Sequence, residues 1–132
     1  MPSLVRGRIV YPKVAIPDPQ GRNPKEGRPF VVISRDEEIQ KGDTIQAVGI
    51  TGELQESPTD HYVELPSGPN AKSGLKQKSA ALCTWLIDIA QDHVEVSKGH
   101  IRADLLEQIV VKVLQLKSIP QTIRDDQGGT PK

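Results

Sequence analysis

At 132 residues the chain has room for one domain and not comfortably for two. Hydrophobic residues make up 36% and aromatics only 3%, so the core must be built from Val, Ile, Leu and Ala. The lone cysteine, Cys83, excludes an intramolecular disulfide and a cysteine-based zinc site, and no carboxylate or histidine cluster has metal-ligand spacing. Neither a metal nor a cofactor is therefore expected. There is no apolar run of signal-peptide length and none long enough to span a bilayer, which gives the expectation of a cytoplasmic protein without membrane contact.

Net charge is zero, but its distribution is uneven. Residues 1–28 hold six basic side chains (Arg6, Arg8, Lys13, Arg22, Lys25, Arg28) against Asp18 and Glu26. Residues 36–66 hold eight acidic side chains against Lys41 alone. Such asymmetry creates one electropositive face for an anionic ligand, unless the two stretches lie side by side and neutralise each other.

In chain order, residues 8–16 read as a strand that frays at Pro12. Residues 17–29 follow as a 13-residue loop, where Pro17, Pro19, Pro24, Gly21 and Gly27 deny any regular element. A connector that long on a small domain is often functional. Residues 30–34 form a short, continuously apolar strand buried on both faces, and a turn at 41–43 leads into a strand over 44–51. Residues 62–65 alternate as a strand, residues 66–78 are a loop rich in Gly, Pro and Lys, and residues 80–87 form a fifth strand. Over 102–116, apolar residues 105, 106, 109, 110, 113, 114 and 116 share one helical face, with Val111 outside it. Ser118-Ile119-Pro120 stops that helix. The chain thus divides into a domain over 1–118 and a polar tail over 119–132, expected to be disordered. The pattern is mainly β with a C-terminal helix, and it fits a small, SH3-like curled barrel.

Five blocks of the chain resemble the PemK/MazF toxins. Residues 6–10 (Arg-Gly-Arg-Ile-Val) resemble the family's R-G-D-I-V opening, and residues 25–34 resemble its G-x-R-P-x-x-V-x-S block. Residues 48–51 fall where the family has a strand ending in P-x-T; residues 58–65 are similar to its P-T-H-V-E-L strand, and residues 74–83 to G-L-x-x-x-S-V-A-L-C. Order and spacing agree over about residues 5–117. The resemblance implies a CcdB/MazF-type curled β-barrel, usually a homodimer, that cleaves single-stranded RNA sequence-selectively without metal. It also implies restraint by a cognate antitoxin.

The same resemblance assigns catalysis to Arg28, the arginine of the R-P block, and to Thr51, which ends the P-x-T strand. Chemistry agrees with the first assignment in part. Metal-free cleavage uses the 2′-hydroxyl of RNA as nucleophile and needs charge stabilisation at the phosphate, which a planar, permanently charged guanidinium supplies. The very high pKa of arginine makes it a poor proton acceptor, so a general base is not read from Arg28. Thr51 suits a hydrogen bond to the phosphate or to the 2′-hydroxyl. Taken alone, Arg28 reads as a surface arginine before a proline and Thr51 as a strand-end threonine.

Contacts to RNA are expected from Arg8, Arg22, Lys25, Lys76 and Lys78, with Lys72 in the same loop, and from His61, which titrates in the useful range. The resemblance breaks after Cys83. Where many family members continue E-Q-I-R-T, this chain has Thr84-Trp85-Leu86-Ile87-Asp88, with Trp85 in the glutamine's place. Two outcomes are open for Trp85: stacking a base, or packing in the core or a dimer interface. His93 and His100 read as surface residues near turns.

Overall fold

The structure, a computed structural model, describes residues 3–17, 27–52 and 59–123. Seven strands form one sheet: β1 (Arg8–Pro12), β2 (Phe30–Val32), β3 (Thr44–Thr51), β4 (Tyr62–Leu65), β5 (Ser79–Ala90), β6 (Val94–His100) and β7 (Gln121–Ile123). Helix α1 (Asp36–Lys41) lies between β2 and β3, and α2 (Ala103–Gln115) between β6 and β7. The strand order is β4-β5-β3-β2-β1-β6, antiparallel throughout, with β7 added parallel to β5. Among the described residues no pairing joins β4 to β6. The expected mainly β fold with a C-terminal helix is observed, as one seven-stranded sheet that these pairings do not close.

The central strands are continuously apolar because both sheet faces are covered. On one face Ile9, Val31, Val48, Ile50, Val63 and Leu86 pack beneath α2, which contributes Leu106, Ile109 and Val113. On the other, Val10, Phe30, Val32, Ala47, Ile87 and Ile89 pack with Ile39 of α1, Trp85 and Ile123 of β7. Burying a strand on both sides erases the polar half of its alternation. The two clusters hold one large ring system each side of nothing but aliphatics: Phe30 and Trp85 both lie in the second.

Several elements differ from expectation. The helix begins where periodicity places it, but its buried stripe is narrower, because Leu114 is 70% exposed while Leu106, Ile109 and Val113 are buried. Helix α2 lies mainly against β4 and β5, so one stripe suffices for its contact with the sheet. The tail is corrected at its start. Lys117 takes a left-handed conformation (φ 55) that ends α2, and Ser118 Oγ donates 2.7 Å to Cys83 O. The chain then returns as β7, with Ile87 paired to Gln121 and Ile89 to Ile123. Residues 124–132 lie outside the described residues. Two further elements, α1 and β6, were not expected. Helix α1 is set by a capping interaction in which Arg35 N–H donates 2.8 Å to Glu38 Oε1; that bond, first, and the Arg35 charge hold the Glu38 carboxyl below its ordinary range.

Cys83 is fully buried on β5, and desolvation pushes its thiol up to about 12. A raised folded-state value stabilises the fold only while the unfolded thiol also stays protonated. From about pH 9 upward the unfolded chain releases a proton that the folded chain retains, so stability falls on the order of 4 kcal/mol by pH 12. Urea titrations at steps of pH from 8 to 11 are expected to show this decline, and Cys83→Ala, weaker overall from the cavity it leaves, is expected to lose the cysteine's part of the slope. Iodoacetamide at pH 8 is expected to label Cys83 in urea and not in the native protein.

Candidate functional site

The β2–β3 ladder sets the site. Its register pairs Val32 with Ala47, Val31 with Val48 and Phe30 with Gly49. It does not stop there: Ile50 N–H donates 3.0 Å to Pro29 O. That pair makes a single hydrogen bond because proline has no N–H to return. Beyond that bond the ladder ends; Arg28 and Thr51, 23 residues apart in the chain, are the next residues in line at this end of the two strands. Thr51 is 5% exposed and pairs with Ala80 on its other side.

A cavity of about 310 Å³ opens at this end, lined by Arg28, Pro29, Tyr11, Ile50, Gly52 and Lys76 among others. Thr51 sits between two lining residues without lining the cavity itself. Tyr11 reaches it because β1 pairs Val10 with Phe30, which carries Tyr11 alongside Pro29. Lys76 comes from the loop between β4 and β5. Ser73 pins that loop: its Oγ donates 2.7 Å to Pro66 O and accepts 3.1 Å from Leu75 N–H.

Arg28 also has a platform. Its guanidinium carbon lies 6.0 Å from the centre of the Trp85 ring, within cation–π range. Trp85 is 4% exposed, meets Phe30 edge-to-face at 5.0 Å, and donates from Nε1 to Pro17 O at 3.2 Å. The indole lies flat on β3 because residue 49 is glycine; a Cβ there would stand 2.1 Å from Trp85 Cε3. β3 also shifts register against β5 between Val48 and Ile50, the bulge that admits the ring. Base stacking, one of the two outcomes open for Trp85, is thus corrected: the ring is interior, and its role toward the site is to carry Arg28.

The other expected RNA contacts separate. Lys76 lines the cavity with Arg28. Lys78 is exposed and pairs with Glu64 at 3.3 Å. Arg8 lies away from the cavity, donating from Nε to Ser3 O at 2.9 Å and from Nη1 to Lys98 O at 3.3 Å. His61 closes a 3-10 turn (Thr59–His61) before β4, which β5 and β3 separate from β2 in the sheet. Arg22 and Lys25 lie outside the described residues. Among the described residues no group of His, Cys, Asp or Glu is arranged to hold a metal. No helix is long and apolar enough to cross a membrane.

An open sheet with one covering helix and a cationic edge defines the class: a small, mainly β protein whose polar chemistry sits at the strand ends. The family model for the PemK-like, MazF-like toxin of type II toxin-antitoxin systems matches residues 5–121, and the chain belongs to that family. No curated protein matches the sequence. Solved structures share the fold. A MazE-MazF complex from Deinococcus radiodurans matches with a TM-score of 0.61 at 18% identity, over 86% of this chain and 95% of that one. The Mycobacterium tuberculosis toxin MazF-mt6 matches with a TM-score of 0.63 at 14% identity, over 85% and 97%. An endoribonuclease in complex with its cognate antitoxin, from a mycobacterial species, matches with 0.62 at 13% identity, over 89% and 98%.

The Gly49–Trp85 contact has a direct consequence for stability. Gly49→Ala is expected to cost roughly 1–3 kcal/mol by overpacking, read as a lower urea midpoint. Combining it with Trp85→Leu is expected to recover part of that loss, as a double-mutant cycle would show.

Proposed function

We propose that the protein is the toxin of a type II toxin–antitoxin pair and acts as a metal-independent endoribonuclease on single-stranded RNA, restrained by an antitoxin protein. The observation that supports the reading is the cavity at the end of the β2–β3 ladder, lined by Arg28 and Lys76, with Thr51 next to two of its lining residues. Relatives of the same fold include an endoribonuclease solved with its antitoxin, which supports both the activity and the partner. A homodimer follows from the family resemblance.

The reaction is an internal transesterification. The 2′-oxygen of RNA attacks the adjacent phosphorus, the bond to the 5′-oxygen of the next nucleotide breaks, and the products carry a 2′,3′-cyclic phosphate and a 5′-hydroxyl. One proton leaves the 2′-hydroxyl and one arrives at the departing 5′-oxygen, so the sum is neutral. Negative charge gathers on the non-bridging oxygens as phosphorus becomes five-coordinate. Arg28 answers that charge with a fixed fork of donors, oriented by the indole behind it and by Pro29 beside it. Lys76 adds a second positive charge from the loop wall. Thr51 does not line the cavity; on this reading it acts from between the lining residues Ile50 and Gly52, at the strand end that faces the sugar-phosphate. His61 does not line the cavity, and no proton step is routed through it.

Incubation of a mixed-sequence single-stranded RNA with purified protein in EDTA is expected to give fragments with cyclic phosphate ends. Arg28→Ala is expected to lower the cleavage rate at least about a hundredfold, the scale of losing a preorganised charge-stabilising donor, with Arg28→Lys retaining part of it. Thr51→Ala is expected to be impaired more than Thr51→Ser. Intact RNA at high concentrations of folded wild-type protein would sink the reading and leave a non-catalytic binding protein of the same fold.

A further inference from the structure

The Arg28 cavity does not stand alone. It shares Gly74, Leu75 and Lys76 with a second cavity of about 400 Å³, which Gly68 and Pro69 also line. That one shares Ala71 with a third of about 440 Å³, lined by Pro66, Asn70, Lys72, Ser73, His100 and Arg102. The three adjoin in sequence along the β4–β5 loop and make one trough from Arg28 to Arg102. Among the described residues lining it are Arg28, Lys76, Lys72, Arg102 and His100, and no carboxylate. In a chain with 17 acidic and 17 basic residues that exclusion marks a trough built for negative charge. A separate cavity of about 260 Å³, by contrast, is lined by Glu38 and Asp88 with no cation.

The far end of the trough is held in place by backbone. His100 N–H donates 3.0 Å to Lys72 O, tying the loop to β6. The approach is close because residue 99 is glycine: a Cβ there would meet Ser73 O at 2.0 Å. Ser73 itself is 2% exposed, with its hydroxyl engaged on both sides by the loop. Arg102 gives two guanidinium nitrogens, Nε and Nη2, to Asp104 at 2.8 and 3.2 Å; Asp104 is not among the lining residues, and the guanidinium keeps its Nη1 donors beyond that pair. Lys72 of the β4–β5 loop thus meets His100 and Arg102 of the β6–α2 junction at a preformed pocket also lined by Asn70 and Ser73.

We propose that this end of the trough is a second phosphate-binding site, which grips the backbone of a single-stranded nucleic acid several nucleotides away from the Arg28 cavity. It rests on the reading of the protein as one that engages single-stranded RNA. Separate cations spaced along the loop suit a strand whose charges repeat at each phosphate, and the Asn70 amide between them suits a sugar or base edge. The site would therefore matter for long substrates and be silent for short ones.

Fluorescence anisotropy with mixed-sequence single-stranded DNA, which binds without the 2′-hydroxyl needed for cleavage, tests this. A 12-nucleotide probe is expected to lose about tenfold in affinity with Lys72→Ala and more with Lys72→Ala/Arg102→Gln, while a 3-nucleotide probe is unaffected. The slope of log K against log salt is expected to fall by about 0.7 for each charge removed. Lys41→Ala, on α1, is expected to leave both quantities unchanged. Lys72 is exposed, so its substitution leaves the fold intact even if the Arg102 variant frays the start of α2. Unchanged 12-nucleotide binding in Lys72→Ala and the double variant, with Arg28→Ala weakened, would overturn the second site and leave the nuclease reading standing. No binding by the wild-type protein would overturn both. An oligoglutamate of equal charge that competes as well as the DNA would overturn it in favour of an acidic protein segment.

Discussion

The contact on which the site depends is the one between Gly49 and the indole of Trp85. A flat ring can lie against a strand only where that strand has no side chain, and a Cβ at residue 49 would stand within 2.1 Å of it. Four features meet at that contact. The irregularity between β3 and β5, where Gly49 alone stands against Leu82 to Trp85, accommodates the ring, and the Phe30 edge closes on it. The ring's Nε1 then draws in the start of the β1–β2 loop at Pro17, and Arg28 is left over its surface. A cation–π contact of this kind is worth about 0.5–1 kcal/mol at an exposed site. Its larger effect is to narrow the orientations of a long side chain that would otherwise sample many, and less rotamer freedom is then lost when it grips a phosphate.

Charge is segregated by the fold rather than by composition. The acidic segment that follows β2 is folded into α1, where Glu38 is occupied with Arg35, and its cavity also takes Asp88 from β5. The cationic side chains come from the opposite end of the sheet and from the β4–β5 loop. The balance of zero therefore conceals cavities whose described charges differ in sign. The described cations include Arg28 from the basic N-terminal stretch, but Lys72, Lys76 and Arg102 come from later segments.

Much of the fold was legible where burial is two-sided and long. Strands β3 and β4 begin and end where their apolar and alternating patterns place them. What escaped is short or partly polar. Helix α1 has a single buried residue, Ile39, so it offers no periodicity to read. Strand β6 begins with alternation at Val94 and Val96 and then passes through Ser97, Lys98 and Gly99, each needed for a local reason: Ser97 Oγ bonds Ile9 O, and Gly99 admits the Ser73 backbone. Strand β7 is three residues long and pairs in parallel with β5, a contact across more than 30 residues that no local pattern records. The site was legible only through family resemblance. Nothing local in the Arg-Pro pair or the strand-end threonine reveals that the β2–β3 ladder will bring them to the same end of the sheet, and the Lys72–His100–Arg102 pocket draws on two separate segments.

The burial of Trp85 changes how the departure from the family pattern after Cys83 should be understood. A polar side chain at that position would be able to reach a base; an indole bonded to Pro17 O and pressed on Gly49 cannot turn outward without leaving a void on both sides. The strand that carries it has therefore exchanged recognition for support. On the proposed reading, discrimination between RNA sequences must then come from groups that are not part of either core: Tyr11 at the cavity wall, and the side chains of the β4–β5 loop along the trough. These positions can vary without disturbing the packing that holds Arg28. The loop's anchor, Ser73, is spent on loop backbone, and Gly99 provides only room. On that reading, a sheet that holds Arg28 and a pinned loop that meets the strand would let target choice diverge while the cleavage geometry stays constant.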